Sequence, residues 1–226
     1  PSTCVADCKA RTLSVQIISP KPETNFARGS IVSIQARART EYDIALDTTV
    51  VAEGFFGKIV LYDDGTHNDQ LARDGIYANS FLITKEVPAE NYTINVTGTL
   101  PEIEAKDSIN ISIKPELGLQ VSTDKAEYVV GDVIKISGSL ARNELPLSEP
   151  ITLEILSDGN LLFAQIILPD PQGNFAYPHH TSFIDPEGKL AIKLTATDSF
   201  FNSGEATASV QMLKASELNY FNIKIL

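Results

Sequence analysis

In Val32-Ser-Ile-Gln-Ala-Arg-Ala-Arg39, the apolar residues Val32, Ile34, Ala36 and Ala38 alternate with Ser33, Gln35, Arg37 and Arg39. Successive side chains of an extended strand point to opposite faces, so this phase makes one face of a strand apolar and the other polar. The same period recurs along the chain. Tyr92, Ile94 and Val96 alternate with Asn91, Thr93, Asn95 and Thr97, and Ile109, Ile111 and Ile113 alternate with Asn110 and Ser112. Further on come Ile151, Leu153 and Ile155, then Leu190, Ile192, Leu194 and Ala196, then Ala206, Ala208, Val210 and Met212. No window of about 10 to 12 residues carries helical spacing. The chain reads as all-β, with antiparallel strands in sheets packed over their apolar faces.

A repeat divides it. Gly29-Ser-Ile-Val-Ser-Ile-Gln-Ala36 returns in pattern as Gly131-Asp-Val-Ile-Lys-Ile-Ser-Gly138, 102 residues on, and Pro88–Thr97 returns as Pro186–Thr195, 98 residues on. An offset near 100 is the length of one β-sandwich, and 226 residues hold two. The junction is expected at Lys114-Pro115-Glu116-Leu117-Gly118, where Pro and Gly punctuate the end of a strand. The expected division is an N-terminal extension over 1–12, sandwiches over 13–114 and 115–213, and a following segment over 214–226. Phe221–Leu226 alternates like Leu13–Ile18, as a third module would at its start, and the chain opens at Pro1 without an initiator Met or basic leader; it is expected to be a piece of a longer protein.

Composition narrows the function classes. Lys and Arg total 18 against 29 Asp and Glu, a net charge of −11, so attraction to phosphate backbones or anionic lipid is not expected. No apolar run approaches the roughly 18 residues of a membrane-spanning helix. Cys4 and Cys8, the two cysteines, allow a small disulfide loop or half of a metal site completed elsewhere.

Three stretches carry two family resemblances. Asp63-Asp-Gly-Thr-His-Asn-Asp-Gln-Leu-Ala-Arg-Asp-Gly-Ile-Tyr77 resembles a DDG…D…DG-x-Y segment of immunoglobulin-like modules in large secreted and surface-anchored bacterial and archaeal proteins. Tyr128-Val-Val-Gly-Asp-Val-Ile-Lys-Ile-Ser-Gly138 and the turn Asp170-Pro-Gln-Gly-Asn-Phe175 resemble the bacterial immunoglobulin-like and macroglobulin-like modules of such proteins. The resemblance implies two tandem immunoglobulin-like antiparallel β-sandwiches, an extracellular or cell-surface location, and no catalytic residues.

The acidic loop is the most informative local feature. Asp63, Asp64, Asp69 and Asp74 crowd into one loop, where carboxylates repel unless water or a hard cation separates them; Ca²⁺ takes such oxygen ligands and is the candidate cofactor. The loop is not an EF-hand, since Asn68 stands at its sixth position and Asp74 at its twelfth. The competing reading is that Gly65 and Gly75 supply positive φ, the aspartates cap turns and their charge is solvated. His67 is expected to be exposed. His179-His180 is expected to be a loop pair without a role, since adjacent strand residues point apart and cannot share an ion. Phe55-Phe56 and Phe200-Phe201 are either core plugs at loop ends or exposed aromatic contacts.

Three sequons begin at Asn91, Asn95 and Asn110, all in the outward phase. No nucleophile elbow, paired-histidine zinc motif or phosphate-cradling glycine loop occurs. The expectation is therefore a non-enzymatic spacer or adhesion module of an extracellular surface protein. Its expected partners are neighbouring modules of the same polypeptide and a surface protein or glycan, without nucleic acid or membrane insertion. A ligand-binding module and an accessory domain of a secreted hydrolase are the alternatives.

Overall fold

The computed structural model describes residues 12–41, 44, 45, 47–182 and 185–213. The expectations placed on Cys4 and Cys8, on most of the N-terminal extension and on the segment 214–226 lie outside the described residues. The chain divides into two compact units, Pro1–Pro115 and Glu116–Leu226. Every regular element among the described residues is a strand.

The first unit holds β1 (Leu13–Ser19), β2 (Thr24–Phe26), β3 (Ile31–Thr40), β4 (Thr49–Gly54), β5 (Gly57–Leu61), β6 (Ile76–Leu82), β7 (Asn91–Leu100) and β8 (Ile103–Ile113). One sheet has the order β1-β3-β6 and the other β2-β8-β7-β4-β5. The second unit holds β9 (Gly118–Thr123), β10 (Glu127–Tyr128), β11 (Val133–Arg142), β12 (Leu145–Pro146), β13 (Ile151–Ser157), β14 (Asn160–Ile167), β15 (Asn174–His180), β16 (Gly188–Thr197) and β17 (Ser203–Met212). Its sheets are β9 and β12 on β11 with β15 beyond, and β10-β17-β16-β13-β14. Apart from the short β12, each strand of the second unit has a counterpart at the same place in the first. Both are immunoglobulin-like sandwiches with a Greek-key order.

Local sequence explains the turns. Asp158-Gly159, at φ 48 and 81, joins β13 to β14 as the left-handed pair of a type I′ hairpin, whose twist matches the flanking strands. Pro101 and Glu102 join β7 to β8, with Glu102 at φ 73 where a type II turn ordinarily takes glycine.

The alternation selects the cores. In β3, Val32, Ile34, Ala36 and Ala38 are buried, and in β7 Ile94 and Val96 are fully enclosed. Phe55 and Phe56 pack partly buried against this core, with Phe56 stacked on Phe81 at 4.0 Å between ring centres. The second unit encloses Ile151, Leu153, Ile155, Leu190, Ile192 and Leu194 in a cluster of its own. Burying each such side chain contributes roughly 1.5–3 kcal/mol. Ala206 and Ala208 are only half-buried at its margin.

Candidate functional site

The loop 62–75 between β5 and β6 gathers the most chemistry. Asp63 clamps its two ends: its carboxylate accepts the N–H groups of Asp74 at 3.1 Å and Gly75 at 3.0 Å. Asp69 lies at the centre, 6% exposed, and accepts the Gly65 N–H at 2.7 Å and the Leu71 N–H at 3.4 Å. Asp74 accepts the Ile76 N–H at 2.9 Å. Gly65 and Gly75 do take positive φ, 71 and 81, but so do His67, Asn68 and Arg73. The loop is wound tightly enough to hold three non-glycine residues in the left-handed region.

This winding brings one carboxylate oxygen from each of Asp63, Asp69 and Asp74 within 4.8 Å of one another. Oxygens bound to Ca²⁺ at about 2.3–2.6 Å span such separations, so these three residues fit a hard cation whose remaining ligands are carbonyls or water. Asp64, expected to join them, is not part of the group. Its carboxylate turns to Thr66, accepting the hydroxyl at 2.6 Å and the N–H at 2.8 Å, and to His67 Nδ1 at 3.0 Å. The Thr66 hydroxyl above all, aided by its N–H and by His67, holds the Asp64 carboxyl below the usual aspartate range, although desolvation opposes the shift. His67 is exposed, with its ring 4.6 Å from that of Tyr62.

Beside Asp63 a cleft of about 250 Å³ is lined by Thr48, Tyr62, Arg73 and Tyr77. The Tyr77 hydroxyl donates to the Ala45 carbonyl at 2.8 Å and accepts the Thr48 N–H at 3.2 Å, and burial pushes its phenol up. The matching loop of the second unit spans 168–173 and carries one aspartate, Asp170, which accepts the N–H groups of Gln172 and Asn174. The carboxylate cluster is thus a feature of the first unit's loop, not of the shared fold.

Two polar clusters in the second unit had no signal in the sequence. Asp198, 4% exposed, accepts from Phe200 N–H, Asn202 N–H, Asn202 Nδ2 and Arg142, the last at 3.0 Å. Desolvation pushes its carboxyl up, but bonds from Asn202, Phe200 and Arg142 outweigh it and hold the group below the usual range. Arg142 also covers the Phe200 ring at 4.9 Å, while Phe201 is 62% exposed, so that aromatic pair divides between packing and solvent. His179-His180 is not a loop pair. Both lie on β15, with His179 buried 3.7 Å from Asp185 and His180 exposed, so the strand period separates them. Asn91, Asn95 and Asn110 are exposed, and Asn91 and Asn110 accept the hydroxyls of Ser112 and Thr93 across β7 and β8.

No family model matches the chain, and no curated protein matches it. Solved structures similar to it include the fibronectin(III)-like modules of Clostridium thermocellum CbhA, 16% identical over 88% of this chain and 93% of that one, with a TM-score of 0.31. A chimeric titin Z1Z2 tandem is 13% identical over 88% and 100%, with a TM-score of 0.30. Salmonella alpha-2-macroglobulin is 9% identical over 90% of this chain and 15% of its own, with a TM-score of 0.37. Likenesses this distant carry no argument about function, and the fold assignment rests on the strand order.

Proposed function

We propose that this chain is a non-catalytic spacer of an extracellular surface protein, holding neighbouring parts of the same polypeptide apart. One observation carries the reading. In each unit a short early strand runs parallel to the last strand: Thr24–Phe26 beside Ile111–Ile113, and Glu127–Tyr128 beside Gln211–Met212. Parallel neighbours start at the same end of a sheet, so the chain comes in at one end of each sandwich and leaves at the other. Tension along the chain then shears these paired strands together instead of peeling them one bond at a time. Such topology suits a module that transmits distance, and the prokaryotic surface context follows from the resemblance of the acidic loop.

Stretching single molecules of the full chain tests the mechanical part. Two separate unfolding events are expected, each releasing at most ~3.3–3.6 Å per residue. A smooth extension with no resolved event would sink the spacer reading. Labelling intact source cells with an antibody to the chain tests the location, and labelling that requires permeabilised cells would overturn it.

The convergence of Asp63, Asp69 and Asp74 favours a second element, calcium bound in this loop and stiffening the first unit.

A further inference from the structure

Sheet edges with unpaired N–H and C=O groups join other strands unless something protects them, and the outer strands of this chain differ sharply in protection. On β5, Lys58 pairs with Glu53 at 3.3 Å. The outer side of β6 is occupied by Tyr62, which exchanges two main-chain bonds of 2.9 Å with Ala78. On β1, the Asp107 carboxylate takes the Ile17 N–H at 2.8 Å. Leu117, just ahead of β9, is tied to Ser203, β15 carries Pro178, and β2, β10 and β12 are very short.

β14 has no charge, covering segment or proline of this kind, and its one irregularity is a bulge at Leu162, where Phe163 pairs with Ile155 and Leu161 with Leu156. It pairs with β13 alone among the described residues, and Gly159-Asn-Leu-Leu-Phe-Ala-Gln-Ile-Ile-Leu-Pro169 contains no charged residue in a chain of net charge −11. Leu161, Ile166 and Leu168 are 56%, 64% and 68% exposed along it. The Gln165 side chain donates to the Ile166 carbonyl at 3.0 Å, one local bond that a main-chain ladder would replace.

We propose that β14 is a homotypic docking edge, through which two copies of this chain join antiparallel and fuse their five-stranded sheets into one. The occupant follows from charge and symmetry. Two acidic chains repel over most of their surfaces, and an uncharged edge is where they approach at least electrostatic cost. An uncharged strand gives a charged peptide nothing to recognise, whereas an antiparallel strand is its own complement about a twofold axis, which closes the assembly at two. Residues facing each other across such a pair share a face, so the axis falls on a residue, and Ala164 lies at the middle of the exposed stretch. Ala164 then faces its own copy, and Phe163 faces Gln165.

Sedimentation equilibrium of the full chain, of Ile166→Lys, and of Ala164→Cys in a Cys4→Ser, Cys8→Ser background tests this. The expected result is a concentration-dependent dimer whose dissociation constant rises at least about tenfold in Ile166→Lys, because each interface would carry two lysines at its edge. Ala164→Cys should form an intermolecular disulfide under mild oxidation, since facing strand residues lie within disulfide reach. Leu145→Cys in the same background, exposed on β12, should not. Ile166 is largely exposed, so its replacement leaves the fold in place, and circular dichroism checks that. A chain that stays monomeric at millimolar concentration and gives no Ala164→Cys disulfide overturns the proposal. So does a dimer that Ile166→Lys leaves unchanged.

Discussion

Gly138→Ala sets the repeat against the packing. Ala36 and Gly138 hold equivalent places in the two units, each on the central strand of its sheet opposite an aromatic residue, Tyr77 for Ala36 and Phe175 for Gly138. By the repeat alone, alanine is acceptable at 138. By the structure it is not, because a Cβ there would stand 1.9 Å from the Gln120 carbonyl oxygen on β9 and 2.6 Å from Cζ of Phe175. Carbon contacts settle near ~3.5–4.0 Å, so β9 has to move outward by more than an ångström and Phe175 has to leave its place. Overfilling a packed site costs about 1–3 kcal/mol. Each ladder bond of β9 stretched out of reach adds about 1 kcal/mol. The expected loss is about 3 kcal/mol, and at roughly 4–8 °C per kcal/mol for a domain of this size the second unit melts some 15 °C lower. Calorimetry of the full chain reads the shift, and hydrogen exchange assigns it, with protection lost first in 118–123 and 133–142. Gly118→Ala is the control, since its Cβ meets nothing nearer than the Ala141 carbonyl at 3.7 Å. If Gly138→Ala melts within about 2 °C of the parent with β9 still protected, reasoning from the fixed backbone is wrong.

Ile94→Asp and Ile192→Asp should each abolish the transition of one unit and leave the other, because both side chains are fully enclosed in separate cores and an unpaired buried carboxylate costs several kcal/mol; circular dichroism melts of the full chain decide it. Asp198→Asn should destabilise the second unit by about 2 kcal/mol at neutral pH by stranding the buried end of Arg142. The Asp198 carboxyl is held low, so its contribution is complete above the ordinary aspartate pKa of about 3.9 and is lost as pH falls through the depressed value. The gap between parent and variant should therefore close below about pH 4, and a gap independent of pH would contradict the ion pair. Calcium at a hundredfold excess over its dissociation constant should stabilise the first unit by about 2.7 kcal/mol, and Asp69→Asn with Asp74→Asn should remove the effect; identical melts in calcium and in chelator would leave the loop a self-capped turn.

The period of two was enough to assign the all-β class and to phase the strands. Ile94, Ile111, Leu153 and Ile192 need no tertiary information to be placed inward, and all four bury as their alternation requires, since a one-residue slip would put them in water. The acidic loop was also visible, because four aspartates in one stretch are a local fact. Which of them converge was not. Asp64 is a neighbour of Asp63 in the chain, yet Thr66 and His67 capture it, while Asp74 arrives from the far end of the loop. Asp198 and Arg142 meet from distant positions, and Asp185 reaches His179 from beyond the end of β15, so no spacing announces either pair. The uncharged run 159–169 reads the same whether its strand is central or outermost, and only the strand order, set by which partners pair across the sheet, leaves one side of β14 open.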